Sequence, residues 1–154
     1  MNLNPTFKTY PAYNPLKLSL ASKVLLLMGT FFFSLSLPLT SLFTSGDDIQ
    51  GAWILLIGWL GIIIFQFAWF ANPLNLLALL LLTNRPKIAF LLSSIALILA
   101  SQALIFSEIP TSFSESKIYI QELGLGFYCW YAAHVMFLLA TLIEVFKRAQ
   151  KSEG

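Results

Sequence analysis

Four nearly unbroken apolar runs, at residues 24–43, 49–82, 88–106 and 123–146, take up most of this chain and leave two short polar turns and one longer polar loop, 107–122, between them. A helix needs about 20 predominantly apolar residues to cross a bilayer, and each run meets that length or comes within a residue of it. An ordinary soluble domain carries about 25% charged residues. Here 10% of 154 residues are charged and 58% are apolar, too little polar surface to face water on every side. The expected architecture is all-α: a four-helix transmembrane bundle at 24–146, with a polar tail at 1–23 and another at 147–154. The single cysteine, Cys129, excludes a disulfide scaffold and thiol–disulfide exchange within one chain, which needs a pair.

Charge gives this bundle a direction. With four crossings, Lys8, Lys17, Lys23, Arg85, Lys87, Lys147, Arg148 and Lys151 fall on one side, and only Lys117 falls on the other. Asp47, Asp48, Glu108, Glu115 and Glu122 share the side of Lys117. The positive-inside rule then places both termini in the cytoplasm. A nucleic-acid partner needs a concentrated basic face, which these scattered residues do not make. The expected partners are the lipid bilayer and a membrane protein or second copy of the chain. Lysines ahead of the first run also suit a signal peptide, but a signal core of about 7–15 residues is shorter than this run.

The second run is too long for its task. Asp48 and Arg85 lie on opposite sides, so the stretch between them crosses once, yet 34 residues make a helix of about 50 Å. The hydrocarbon layer is about 30 Å thick. Proline removes a backbone hydrogen bond and disfavours helix at the residue before it, so the sequence predicts a bend or break at Asn72-Pro73. Either 49–71 crosses and 74–82 lies along the cytoplasmic interface, or one long rod kinks. Gly51, Gly58, Gly61 and Ala68 share one helical arc with Asn72. Small residues let membrane helices approach closely, so this stripe reads as a packing surface, within the bundle or against another copy. Pro38 is expected to kink the first helix, and Ser45 with Asp48 reads as a capping box.

Polar side chains inside the runs are the functional candidates. His134 is the only histidine and lies among Phe127, Trp130, Tyr131 and Phe137. An ionisable group at that depth points to function; the structural alternative is a neutral ring bonded across the bundle to Gln66, Gln102, Asn72 or a tyrosine. Gln66 and Gln102 read as hydrogen-bonding residues between helices. Asn72 reads as the cap of the broken helix end, a discontinuity also found at transporter sites. One histidine cannot supply two axial haem ligands, and there is neither a metal-ligand set of usual spacing nor a phosphate loop. No catalytic residue, cofactor or metal is expected.

Gly58-Trp59-Leu60-Gly61 followed by Phe67-Ala68-Trp69-Phe70-Ala71-Asn72-Pro73-Leu74, and Glu122-Leu123-Gly124-Leu125-Gly126-Phe127-Tyr128-Cys129-Trp130, are two further signals. Together they resemble a pattern in small uncharacterised four-span bacterial membrane proteins with a WxANP-like motif. The resemblance implies a bacterial inner (plasma) membrane location and the four-span fold, and no activity. That pattern often has an aliphatic or small residue at the place of His134, which sets His134 apart. The reading favoured by the residues is an accessory or partner-binding membrane protein without enzymatic activity. A small transporter or pore built on Asn72, Gln66, Gln102 and His134 is the alternative from another class, and an immunity-type membrane protein is a third.

Overall fold

The computed structural model describes residues 17–110 and 117–153; the expectations for residues 1–16, including Lys8, and for Glu115 lie outside them. Helix α1 (Leu20–Ser36) starts where Ser19 caps it, its hydroxyl accepting from the Ser22 N–H. A capping oxygen stabilises a helix start by about 1 kcal/mol, so the cap, not the apolar edge, sets the boundary. Pro38 stands beyond the helix end and bends nothing inside it. The last residues of the first apolar run leave the helix and form strand β1 (Thr40–Thr44).

β1 belongs to a small antiparallel sheet with β2 (Ile49–Gln50), β3 (Glu108–Pro110) and β4 (Lys117–Leu123), in the order β2-β1-β4-β3. The fold is therefore mostly helical and not all-α. Thr40, Phe43 and Thr44 are residues that suit a pleated surface, and length and apolar content alone do not separate such a stretch from the end of a helix. Ser45 serves this sheet and not a capping box: its N–H donates to Tyr119 O at 2.9 Å, and its hydroxyl accepts from Tyr119 N at 3.1 Å.

The over-long second segment breaks upstream of its proline. Helix α2 (Gly51–Ile57) tightens into a 3-10 helix over Gly58–Ile64, and Phe65 then adopts left-handed backbone at φ 57°. A second short turn, Ala68–Phe70, leads into helix α3 (Ala71–Leu81). The expected break at Asn72-Pro73 is thus corrected to Phe65–Phe67. Pro73 lies in the first turn of α3, where a missing N–H costs no helical bond. The stretch 58–64 carries the cost instead. Gly58 and Gly61 are each about 1 kcal/mol poorer than alanine in a helix, and Ile62, Ile63 and Ile64 are β-branched.

The chain also folds back at this break. Trp69 Nε1 donates to Leu55 O at 2.9 Å, a pair that a straight helix would separate by about 21 Å. Residues 51–64 are therefore an arm lying beside the start of α3. Neither expected arrangement, a continuous helix over 49–71 or one long kinked rod, is formed. The 74–82 stretch packs in the bundle, with Ala78 and Leu82 buried against Ala89 of helix α4 (Pro86–Ser101), while no residue of 51–64 is buried.

Helix α4 continues as a 3-10 turn over Gln102–Ile105, and helix α5 (Leu125–Glu153) closes the fold. Two stretches, Pro86–Ile105 and Leu125–Gln150, are long and apolar enough to cross a membrane; the apolar helices at Leu20–Ser36, Gly51–Ile64 and Ala68–Leu81 are shorter. The sheet joins the end of α1, the start of α2, the end of the α4 segment and the start of α5. At the far end, Ser19 N donates to Glu144 Oε1 at 2.7 Å, Lys147 Nζ to Lys17 O at 2.8 Å, and Arg148 to Thr83 O and Asn84 O. These contacts make α1, α3, α4 and α5 alternate in direction.

Small residues let these helices touch. Ala71, Ala78, Ala89, Ala96, Ala100, Ala133 and Ala140 are all fully buried. On α1 the close approach falls at Gly29, where a Cβ would lie 2.6 Å from the Phe137 ring of α5. Overfilling a packed contact costs about 1–3 kcal/mol. Gly29→Leu is expected to lower the thermal midpoint in detergent accordingly, and Phe137→Ala in the same chain to restore most of it. A Gly29→Leu protein melting like the parent would contradict the α1–α5 contact.

Candidate binding site

The break is held by two glutamine side chains. Gln102, where α4 passes into its 3-10 turn, donates through Nε2 to Phe65 O and accepts at Oε1 from Phe67 N, both at 2.7 Å. One carboxamide thus satisfies a backbone acceptor and a backbone donor that the broken helix leaves open. Gln66, between those two residues, turns its own Oε1 to the Ala68 N–H at 3.2 Å and caps the following turn. The expectation of hydrogen bonding between elements fits Gln102. Gln66 instead takes the capping role expected of Asn72.

Asn72 faces α5, where its Oδ1 accepts from Trp130 Nε1 at 2.8 Å. One turn along α3, Asn75 Nδ2 meets His134 Nδ1 in a short buried contact. With the amide as donor, the ring proton sits on Nε2. Trp130 packs edge-on against the same imidazole, with centroids 4.5 Å apart, and Ser101 shares a 2.9 Å bond with the Tyr131 hydroxyl. Asn75 Oδ1, His134 Nε2 and Ser93 Oγ are buried with no hydrogen-bond partner among the described residues. The partner of His134 is thus Asn75, which the sequence reading missed. The available signal was its place three residues after Asn72, on the same helix face.

The arm and the bundle enclose a cleft of about 790 Å³. Ile54, Leu60 and Ile64 of the arm form one wall. Phe33 of α1, Phe127 and Trp130 of α5 and Phe106 also line the cleft. Gln66, Asn72, Ser36 and Ser41 are its polar lining; Gln102 and His134 are not part of it. The four polar candidates therefore do not meet around one cavity. Gln66 and Gln102 hold the break, Asn72 is tied to a tryptophan, and His134 sits in the bundle core.

The small residues singled out in the second run also separate. Gly51 abuts the Ser36 carbonyl at the end of α1, Gly58 lies under the Trp69 ring, and Gly61 lies against Gln66 O. Ala68 is buried at the start of the turn leading to α3. Gly58 and Gly61 let the arm close onto its own hinge and do not form a common seam with Gly51. The Trp69-Phe70-Ala71-Asn72-Pro73 motif is this junction, with its tryptophan clamped to the arm and its asparagine to α5.

Among the described residues no three His, Cys, Asp or Glu side chains gather as a metal site. What the geometry offers chemically is an apolar cavity with a few fixed amides and hydroxyls. Compared with known proteins, the chain matches no family model, no curated protein and no solved structure.

The Asn75–His134 contact generates a prediction through an asymmetry. Removing one partner of a buried polar pair leaves the other unsatisfied at about 1–3 kcal/mol, whereas replacing both by apolar groups can be nearly neutral. Asn75→Leu and His134→Leu are each expected to destabilise the protein in a denaturation series, and the double variant by less than the two together. Strict additivity would mean that the two side chains do not depend on each other.

Proposed function

We propose that this chain is a small multi-pass inner-membrane protein with both ends in the cytoplasm, and that it acts as an accessory factor by binding a hydrocarbon chain, without catalysis. Support for the setting comes from the outer faces of the helices. Leu27, Phe31, Leu76, Leu80, Leu91, Ile98 and Phe146 are all exposed, a spread of apolar surface that soluble monomers rarely carry. Further support is the separation of charge. Lys17, Arg85, Lys87, Lys147 and Arg148 gather at the end joined by the Ser19–Glu144 and Arg148–Thr83 contacts, while Asp47, Asp48 and Glu122 lie at the sheet. In this reading α1, the α3 segment, α4 and α5 are the four crossings, and the arm enters the bilayer without traversing it.

The cleft under the arm is the observation that carries the binding role. Small-molecule sites are typically about 300–1,000 Å³, apolar, with a few placed polar groups. Two turns of a helix of about 10–12 Å diameter would already fill that range, so a partner helix fits this cleft poorly and one lipid chain fits it well. Ser36, Ser41, Gln66 and Asn72 are the polar residues that line it. The pore reading gains no support from polar residues divided among three places.

The test is native mass spectrometry of the full chain extracted in mild detergent. Retained lipid is expected, and Ile54→Trp, which fills the cleft, is expected to carry one lipid fewer per protein than the parent while keeping the parent's helical signal. A parent that carries no lipid, or an Ile54→Trp protein that carries as much, would contradict the assignment.

A further inference from the structure

The end of the molecule remote from the sheet holds a second, smaller pocket of about 230 Å³, lined by Asn84, Arg85, Pro86, Lys87, Val145 and Arg148, with Ile88 at its side. Three of these residues are cationic and none is acidic. The nearest carboxylate along α5, Glu144, is already engaged by the Ser19 N–H. Arg148 is held in place by donating to Thr83 O and Asn84 O in the α3–α4 turn, which leaves its buried Nε without a partner among the described residues. Arg85 and Lys87 flank the start of α4, where Pro86 occupies the first turn and no side chain caps the helix. Helix starts of this kind favour negative charge through their free N–H groups and dipole. A fixed guanidinium, two exposed cations and an uncapped helix start converge on one small volume.

The surroundings narrow the anion to one with an apolar body. Ile88, Leu91 and Leu80 are exposed on α4 and α3, and Phe146 is exposed on α5. Basic pockets between membrane helices on the cytoplasmic side suit phosphate headgroups, and guanidinium and ammonium groups make charge-assisted hydrogen bonds to phosphate oxygens. We propose that this pocket binds the phosphate group of an anionic membrane lipid, the chains of that lipid lying against the exposed residues of α3, α4 and α5. The proposal rests on the membrane reading above and is separate from the cleft beneath the arm, which lies towards the opposite end.

The experiment follows thermal stability of the full chain in detergent during titration with short-chain phosphatidylglycerol, short-chain phosphatidylcholine or inorganic phosphate at constant ionic strength. Phosphatidylglycerol is expected to stabilise saturably, phosphatidylcholine and inorganic phosphate far less. Each basic residue near an anionic lipid contributes about 1 kcal/mol, so Arg85→Gln with Lys87→Gln is expected to weaken the midpoint by roughly tenfold to thirtyfold. Lys23→Gln, a charge removed outside the pocket, is expected to leave the midpoint unchanged. The proposal is overturned if the double variant titrates like the parent, if Lys23→Gln weakens binding equally, or if inorganic phosphate matches the lipid. A separate arm tests the membrane reading, with an impermeant maleimide applied to intact cells carrying Ser45→Cys or Lys151→Cys in a Cys129→Ser chain. Labelling of Ser45→Cys alone supports the topology. Labelling of both overturns the topology and the lipid proposal together, whereas the titration overturns only the pocket.

Discussion

The carboxamide of Gln102 holds open a place where the backbone would otherwise have no partners. A helix that stops in apolar surroundings leaves N–H and C=O groups that cost several kcal/mol each if nothing replaces their bonds. Gln102 donates to Phe65 O and accepts from Phe67 N, and Gln66 accepts from Ala68 N. With those groups satisfied, Phe65 can take left-handed backbone and the chain can turn. The arm, the cleft beneath it and the start of α3 at Ala71 all follow from that turn. The close approach of Gly58 to the Trp69 ring then keeps arm and hinge together.

Elsewhere the molecule uses small residues and few polar ones. Fully buried alanines on α3, α4 and α5 bring the helices together; in the proposed membrane setting this close approach matters, because lipid tails are as apolar as the side chains and hydrophobic burial contributes little to helix association. The sheet secures one end of the helices and the backbone contacts of Lys147 and Arg148 the other. Under the proposed orientation, the apolar cleft lies near the outer face and the cationic pocket near the inner one.

Much of this was legible in the residues, and the failures have physical causes. The apolar runs located α4 and α5 closely, because length and hydropathy dominate where a helix faces no competing structure. The excess length of the second run correctly demanded an interruption. Its place was misjudged because Pro73 is harmless in a first turn, while Gly58, Gly61 and three consecutive isoleucines weaken the helix earlier. β1 was invisible because its pairing with β4 joins residues far apart in the chain. The polar candidates were found, yet their partners were not, since Asn75 and Trp130 reach His134 and Asn72 only through the packing of α3 on α5.

The reversal at Phe65–Phe67 is tested most directly by oxidative cross-linking of cysteines introduced as Gly58→Cys and Trp69→Cys in a Cys129→Ser chain. A Cβ at residue 58 would lie 3.3 Å from Trp69 Cγ, the place that a cysteine sulfur at residue 69 would take, so a disulfide between the two positions is within reach. In one continuous helix the same two residues would stand about 16 Å apart along the axis. Rapid intramolecular disulfide formation in membranes, at a rate independent of protein concentration, is the result this account predicts. A pair that stays reduced while the protein remains folded would contradict the folded-back arm and the cleft that depends on it.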